Sequence, residues 1–257
     1  MDATSHGFGK LSPYEMYDRY IYFGGKVMKT IGLIGGMSWE STAHYYALLN
    51  KLVNERLGGH HSAKILLYSI DLEELTQRTF ADKWDEAADM MVEAAKRLER
   101  GGADFILIGA NTMHIAAEQV ERSVNVPVLH IADAAADRIL ARGIRRVGLL
   151  GTAFTMEKGF YKDRLREKFG LDVTVPCPEH RKILHDIIFD ELTHGIVKPE
   201  SKAKLLEIMA DLTTAGAEGM ILGCTELPML VEQADSAVPL FDTTKIHSEA
   251  AVERALA

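Results

Sequence analysis

Residues Met220-Ile221-Leu222-Gly223-Cys224-Thr225-Glu226-Leu227-Pro228 run from an apolar stretch through a glycine to a cysteine, two polar residues and a proline. A short apolar run closed by turn signals reads as a buried strand of a parallel sheet. Ligands of open α/β sheets bind just beyond the carboxyl ends of such strands. This places Cys224 at the mouth of a site. The competing reading is an inert core cysteine, because a free cysteine packs as a small apolar residue.

The stretch has a counterpart upstream. Ala103-Asp104-Phe105-Ile106-Leu107-Ile108-Gly109-Ala110-Asn111-Thr112 matches Ala217 to Glu226 at one constant offset of 114 residues. Two further pairs agree within a couple of residues: Ile31 to Gly35 with Val147 to Gly151, and Val126 to Leu129 with Val238 to Phe241. Three matched segments in one order mean two copies of one supersecondary plan. A pseudo-twofold between the copies would put Ala110 and Cys224 on opposite walls of a single cleft.

The chain has 257 residues, 47% hydrophobic and 26% charged, as expected of a globular protein with ample core. Its formal net charge of −8 and the lack of a basic cluster argue against a nucleic-acid partner. No apolar run approaches a membrane span, and no signal peptide is visible. Two cysteines, Cys177 and Cys224, suit a reducing cytoplasm better than a disulfide.

Strand and helix patterns alternate, which predicts an α/β fold of two pseudo-symmetric Rossmann-like domains, each with a mainly parallel sheet and the active site in the cleft between them. Residues 1–28 read as an N-terminal extension rich in aromatics, with a short helix expected after Ser12-Pro13. The first domain is expected over 29–131, and the second over 132–242. A last helix, 243–257, is expected to pack back on the first domain. Within the first, the patterns predict strands at 29–35, 64–70, 105–109 and 126–131. They predict helices from Ser38 as a cap to Leu57, over 85–100, and after Asn111 to Ser123. Within the second, strands are expected at 146–151, 173–175, 220–223 and 238–242, and helices after Thr152, over 183–194 and over 201–213.

Asn111, Thr112, Thr152, Thr155 and Thr225 all fall just past strand ends. Neutral donors grouped there suit a small carboxylate, although each alone reads equally as a cap or turn residue. The glycine turn at Gly32-x-x-Gly35-Gly36 is not a dinucleotide fingerprint, and no P-loop is present. Adjacent His60 and His61 lack a third metal ligand nearby. No histidine follows closely after Cys224 to activate it as a nucleophile. Glu226 can instead orient the thiol or relay its proton. A thiol, with a reference pKa of about 8.5, serves as base in one protonation state and as acid in the other.

The stretches IGLIGGMSWEST, ANTMH, VPVLHIAD, LLGTAFTMEKGFY, GCTEL and VPLFDTTKIH resemble the aspartate/glutamate racemase family across 28–257, with the closest likeness to its L-aspartate/L-glutamate and broad-specificity amino-acid branch. The resemblance implies two α/β domains with two opposed acid/base residues between them. It implies neither cofactor nor metal, a small amino-acid or dicarboxylate substrate, a homodimer and a cytoplasmic location. It makes Cys224 the second catalytic cysteine. It assigns Asn111, Thr112, Thr152, Thr155 and Thr225 to the amino-acid head group, and Met37 and Ser38 to the pocket lining. Lys182 resembles a lysine that contacts the distal carboxylate, or is a surface helix lysine. An arginine that some relatives carry after the second strand is replaced here by Ser69-Ile70-Asp71-Leu72, with Arg78 nearby. The departure is at Ala110, where the family has cysteine or threonine: a methyl group can neither give nor take a proton. The expected function is an aspartate/glutamate-type racemase with one compromised face. The alternatives are a single-cysteine decarboxylase and a non-catalytic dicarboxylate-binding protein.

Overall fold

The structure is a computed structural model that describes residues 27–257, so the helix expected after Ser12-Pro13 lies outside the described residues. The first half runs β1 (Ile31–Gly35), α1 (Trp39–Leu57), β2 (Ile65–Ser69), α2 (Leu72–Phe80), α3 (Trp84–Arg100) and β3 (Phe105–Ile108). A 3-10 turn (Thr112–Ala116), α4 (Ala117–Ser123), β4 (Val128–Leu129) and α5 (Ile131–Ala141) follow. The second half runs β5 (Arg146–Gly151), α6 (Ala153–Glu157), α7 (Gly159–Phe169), β6 (Asp172–Thr174), α8 (Pro178–Asp190) and a 3-10 turn (Leu192–His194). It ends with α9 (Pro199–Thr214), β7 (Met220–Gly223), β8 (Leu240–Asp242) and α10 (Thr243–Leu256).

Each half holds one four-stranded sheet with every pairing parallel, in the orders β2-β1-β3-β4 and β6-β5-β7-β8. The central strands β1, β3 and β7 are apolar and wholly buried, and β5 is too after its exposed first residue, Arg146, as a sheet covered on both faces requires. The sequence repeat is therefore a repeat of topology, β1 matching β5 and β3 matching β7.

Differences from the expected elements have local causes. The fourth strand of each sheet shrinks to two or three residues, because Pro127 and Pro239 have no N–H to donate to a ladder. Both prolines still accept, from Ile106 and Met220 respectively, at 2.9 Å. Helix α8 starts at Pro178 rather than 183, with proline in its first turn and Cys177 as cap. Helix α2 was not anticipated, yet the Asp71 side chain caps it by accepting from the Glu73 N–H.

Two helices exchange partners between the halves. Ile131, Ala132 and Ile139 of α5 pack with Val147, Leu149 and Phe241 of the second sheet. Ala251, Val252 and Ala255 of α10 pack with Tyr45 and Leu49 of α1 and Leu107 of the first sheet. The exchange ties the sheets together across the cleft.

Candidate active site

The carboxyl ends of β1, β3, β5 and β7 meet at the cleft, and glycines decide how closely. A Cβ at Gly109 would lie 3.0 Å from the Ile34 carbonyl oxygen, and one at Gly223 would lie 2.8 Å from that of Leu150. Glycine alone lets the chain pass so near its neighbour. The next residues, Ala110 and Cys224, then line the same cavity, of about 110 Å³. Met37, Ser38, Asn111, Thr112, Thr152, Thr225 and Glu226 also line it.

The polar contacts obey the pseudo-symmetry. Ser38 caps α1, and its Oγ lies 3.5 Å from Glu226 Oε1, two residues past Cys224. Thr152 caps α6, and its hydroxyl lies 3.1 Å from that of Thr112, two residues past Ala110. Thr155 is fully buried just behind and closes a ring of three hydroxyls, 3.0 Å from Thr112 and 3.3 Å from Thr152. Symmetry fails in the chemistry: one half carries Cys224 with Glu226, the other Ala110 with Thr112.

Cys224 Sγ donates to Glu226 Oε2 at 2.9 Å, and the Thr225 hydroxyl donates to the same oxygen at 2.6 Å. Burial pushes the Cys224 thiol well up from its usual value, and the Glu226 carboxylate adds to the shift. The resting pair is therefore a thiol beside a carboxylate.

Asn111 has a fixed orientation. Thr243 Oγ spends its hydrogen on the Leu222 carbonyl at 2.8 Å, so it accepts from Asn111 Nδ2 at 3.0 Å. That leaves Asn111 Oδ1 buried with no hydrogen-bond partner. An unpaired buried acceptor in a cavity wall suits a cationic donor.

Lys182 is not brought to the cavity. Its side chain is 77% exposed, and Nζ lies 2.5 Å from Asp186 Oδ2, one helical turn on. Arg78 also stays outside, with its Nε 3.8 Å from Glu86. The α8 residues that do reach the cavity are Ile188 and Phe189. Sequence reading missed these, together with Leu72, Leu75, Thr76 and Thr79 of α2, Met113, Phe154 and Thr193. The signal for α2 was present: an aspartate followed by two glutamates, with apolar or β-branched residues at 72, 75, 76 and 79. Cys177 and Cys224 are both free, the first exposed and the second buried.

Two related α/β units, with a buried thiol–carboxylate pair and a ring of hydroxyls at the cleft between them, define a two-unit α/β cleft protein. The family model for Asp/Glu/Hydantoin racemase matches residues 34–251, and the chain belongs to that family. A candidate Asp/Glu racemase from Yersinia pestis, of known crystal structure, is 46% identical, with a TM-score of 0.85 over 90% of this chain and 100% of that one. The structure of an aspartate racemase homologue from Pyrococcus horikoshii OT3 is 41% identical, with a TM-score of 0.78 over 89% and 99%. The broad specificity amino-acid racemase RacX of Bacillus subtilis (strain 168) is 23% identical, over 88% of this chain and 98% of its own. Among the described residues, no helix is long and apolar enough to cross a membrane.

Proposed function

We propose that the protein is a cofactor-independent amino-acid racemase in which Cys224 is one acid/base, Glu226 relays its proton, and Ala110 stands where the opposing acid/base would be. The observation that carries this reading is the shared cavity, with Cys224–Glu226 on one wall and Ala110 at the equivalent point of the other. The Thr112 and Thr152 hydroxyls, positioned from behind by Thr155, hold the α-carboxylate beside Thr225, and Asn111 Oδ1 accepts from the α-ammonium. Met37 and Ser38 shape the rim. Cys224, once its proton has passed to Glu226, takes the α-proton, and the electron pair delocalises into the carboxylate. Reprotonation from sulfur restores the starting enantiomer. Inversion needs a proton from water on the Ala110 side. The resemblance implies aspartate or glutamate. The described residues that line the cavity supply donors for one carboxylate and no lysine or arginine for a second.

In this reading the units are 29–131 with 243–257, and 132–242, and the assembly is the cytoplasmic homodimer that the family resemblance implies.

The test is α-hydrogen exchange in deuterated solvent, followed by NMR with each enantiomer separately. One enantiomer is expected to exchange faster than it racemises. Ala110→Cys is expected to raise racemisation at least tenfold, the lower end of what one positioned acid/base contributes being on the order of 10²-fold. If racemisation is unchanged by a correctly folded Ala110→Cys variant, position 110 is not the opposing site.

One observation favours a second reading, a single-cysteine decarboxylase: among the described residues, none that lines the cavity is ionisable besides Cys224 and Glu226. There the bond between the α-carbon and one carboxylate breaks, CO₂ departs, and the Cys224 thiol protonates the remaining electron pair. Release of CO₂ from a 2-substituted malonate, lost in Cys224→Ser, would select it. Ligand binding with neither reaction would select a dicarboxylate-binding protein.

A further inference from the structure

We infer that the substrate side chain is aliphatic and uncharged, an inference that rests on reading the cavity as an amino-acid acid/base site. The head-group end has its donors at the strand termini. The remaining wall is built from α2, α6 and α8, and it has a different chemistry. Leu72, Leu75, Phe154, Ile188 and Phe189 supply its surface. Thr76, Thr79 and Thr193 also line it, but their hydroxyls are spent. Thr76 donates to the Glu73 carbonyl at 3.1 Å, Thr79 to that of Thr76 at 3.2 Å, and Thr193 to that of Phe189 at 2.7 Å. A hydroxyl turned back on its own helix presents its methyl group to the cavity.

A second carboxylate here would find no unspent donor from these threonines and no cation. It would also face Glu226, the cavity's other carboxylate. Burying an unpaired charge against apolar side chains is costly enough that such a group is excluded or neutralised. An aliphatic chain gains from the same surface. The wall is also braced: Phe80 packs edge-on against Phe154 at 5.9 Å and Phe189 at 5.8 Å, and Trp84 against Phe154 at 5.3 Å.

The experiment compares near-isosteres by calorimetry on the full-length protein: leucine against aspartate, and methionine against glutamate, in both enantiomers. The apolar member of each pair is expected to bind at least tenfold more tightly, and Lys182→Ala is expected to leave that order unchanged. Thr76→Arg, at a half-buried position of α2, is expected to move the preference toward glutamate by at least tenfold. If aspartate or glutamate binds as tightly as its partner, the inference fails. If that acidic preference is lost in Lys182→Ala, Lys182 reaches the cavity after all. If no amino acid binds, it fails as well. Cys224-dependent deuterium exchange is measured separately on the tightest ligand. Apolar preference without exchange overturns the racemase reading alone, and exchange confined to aspartate or glutamate overturns this inference alone.

Discussion

Cys224→Ala is expected to lower α-deuterium exchange by roughly 10³-fold, the middle of the range for a lost general acid/base. The melting temperature should hold, because the side chain removed is small. Cys224→Ser should be nearly as inactive: a serine keeps the hydrogen bond to Glu226, but an alcohol is a far weaker acid than a thiol. If the serine variant retained wild-type exchange, the sulfur would be structural and the mechanism proposed here would fall.

The same pair predicts a pH profile. Desolvation and the negative charge of Glu226 both oppose the thiolate, so exchange is expected to rise with pH well past the ordinary range of a thiol. Glu226→Gln removes the like charge and the acceptor together. The alkaline limb should move to lower pH, because the thiolate is then less opposed. The maximum rate should fall, because the proton has lost its relay. A variant that lowered the rate with no movement of the limb would make Glu226 a purely structural neighbour of the thiol.

The fold was legible because its signal is duplicated. Gly109 and Gly223 each close an apolar run, and each sits against a carbonyl that allows no side chain, so one steric constraint is written twice. The polar cavity residues Asn111, Thr112, Thr225 and Thr152 were legible for the same reason, lying two or three residues beyond those glycines or at the α6 cap. The side-chain wall was not. Leu72, Ile188 and Phe189 lie on α2 and α8, which occupy equivalent places after β2 and β6 but share no matched sequence, and only packing turns them toward the cavity. Lys182 shows the converse: its spacing from Phe189 puts both on one face of α8, but the near end of that helix points outward and Asp186 takes the ammonium. The core histidines also escaped notice, because nothing in a sequence marks a histidine as buried.

Those histidines lead to the last expected result, a steep loss of stability between about pH 6.5 and pH 4.5. His114, His130 and His247 are all buried, with the rings of His114 and His130 4.4 Å apart and those of His114 and His247 5.9 Å apart. Each accepts a hydrogen bond that only a neutral ring can accept. His114 Nε2 takes the Ile131 N–H at 3.1 Å, which leaves Nδ1–H to donate to the Ala110 carbonyl at 2.8 Å. His130 Nδ1 takes the Ala132 N–H at 3.1 Å. His247 Nε2–H donates to the Leu129 carbonyl at 2.8 Å, and Nδ1 accepts from Tyr45 at 3.1 Å. Burial is the first cause of their depressed pKa values: His114 well below the usual value, His130 down to about 2 and His247 to about 4. The neighbouring Arg164 and Lys168, both held by Asp133, push His130 down further. Because the folded values lie below the unfolded one, the unfolded chain binds the extra protons. Stability is therefore complete above about pH 6.5 and falls as pH drops toward the folded values. By pH 5 His130 and His247 each cost about 2 kcal/mol, and His114 adds a loss of the same sign, a large share of the whole stability of many domains. Urea midpoints across pH 5–8 should give a slope of at least two protons at the acid end, and His247→Gln should lower it by about one. A slope near zero there would mean that the cluster accepts protons in the folded state, and that the hydrogen bonds joining Ala110 and Leu129 to these rings do not require neutral imidazoles.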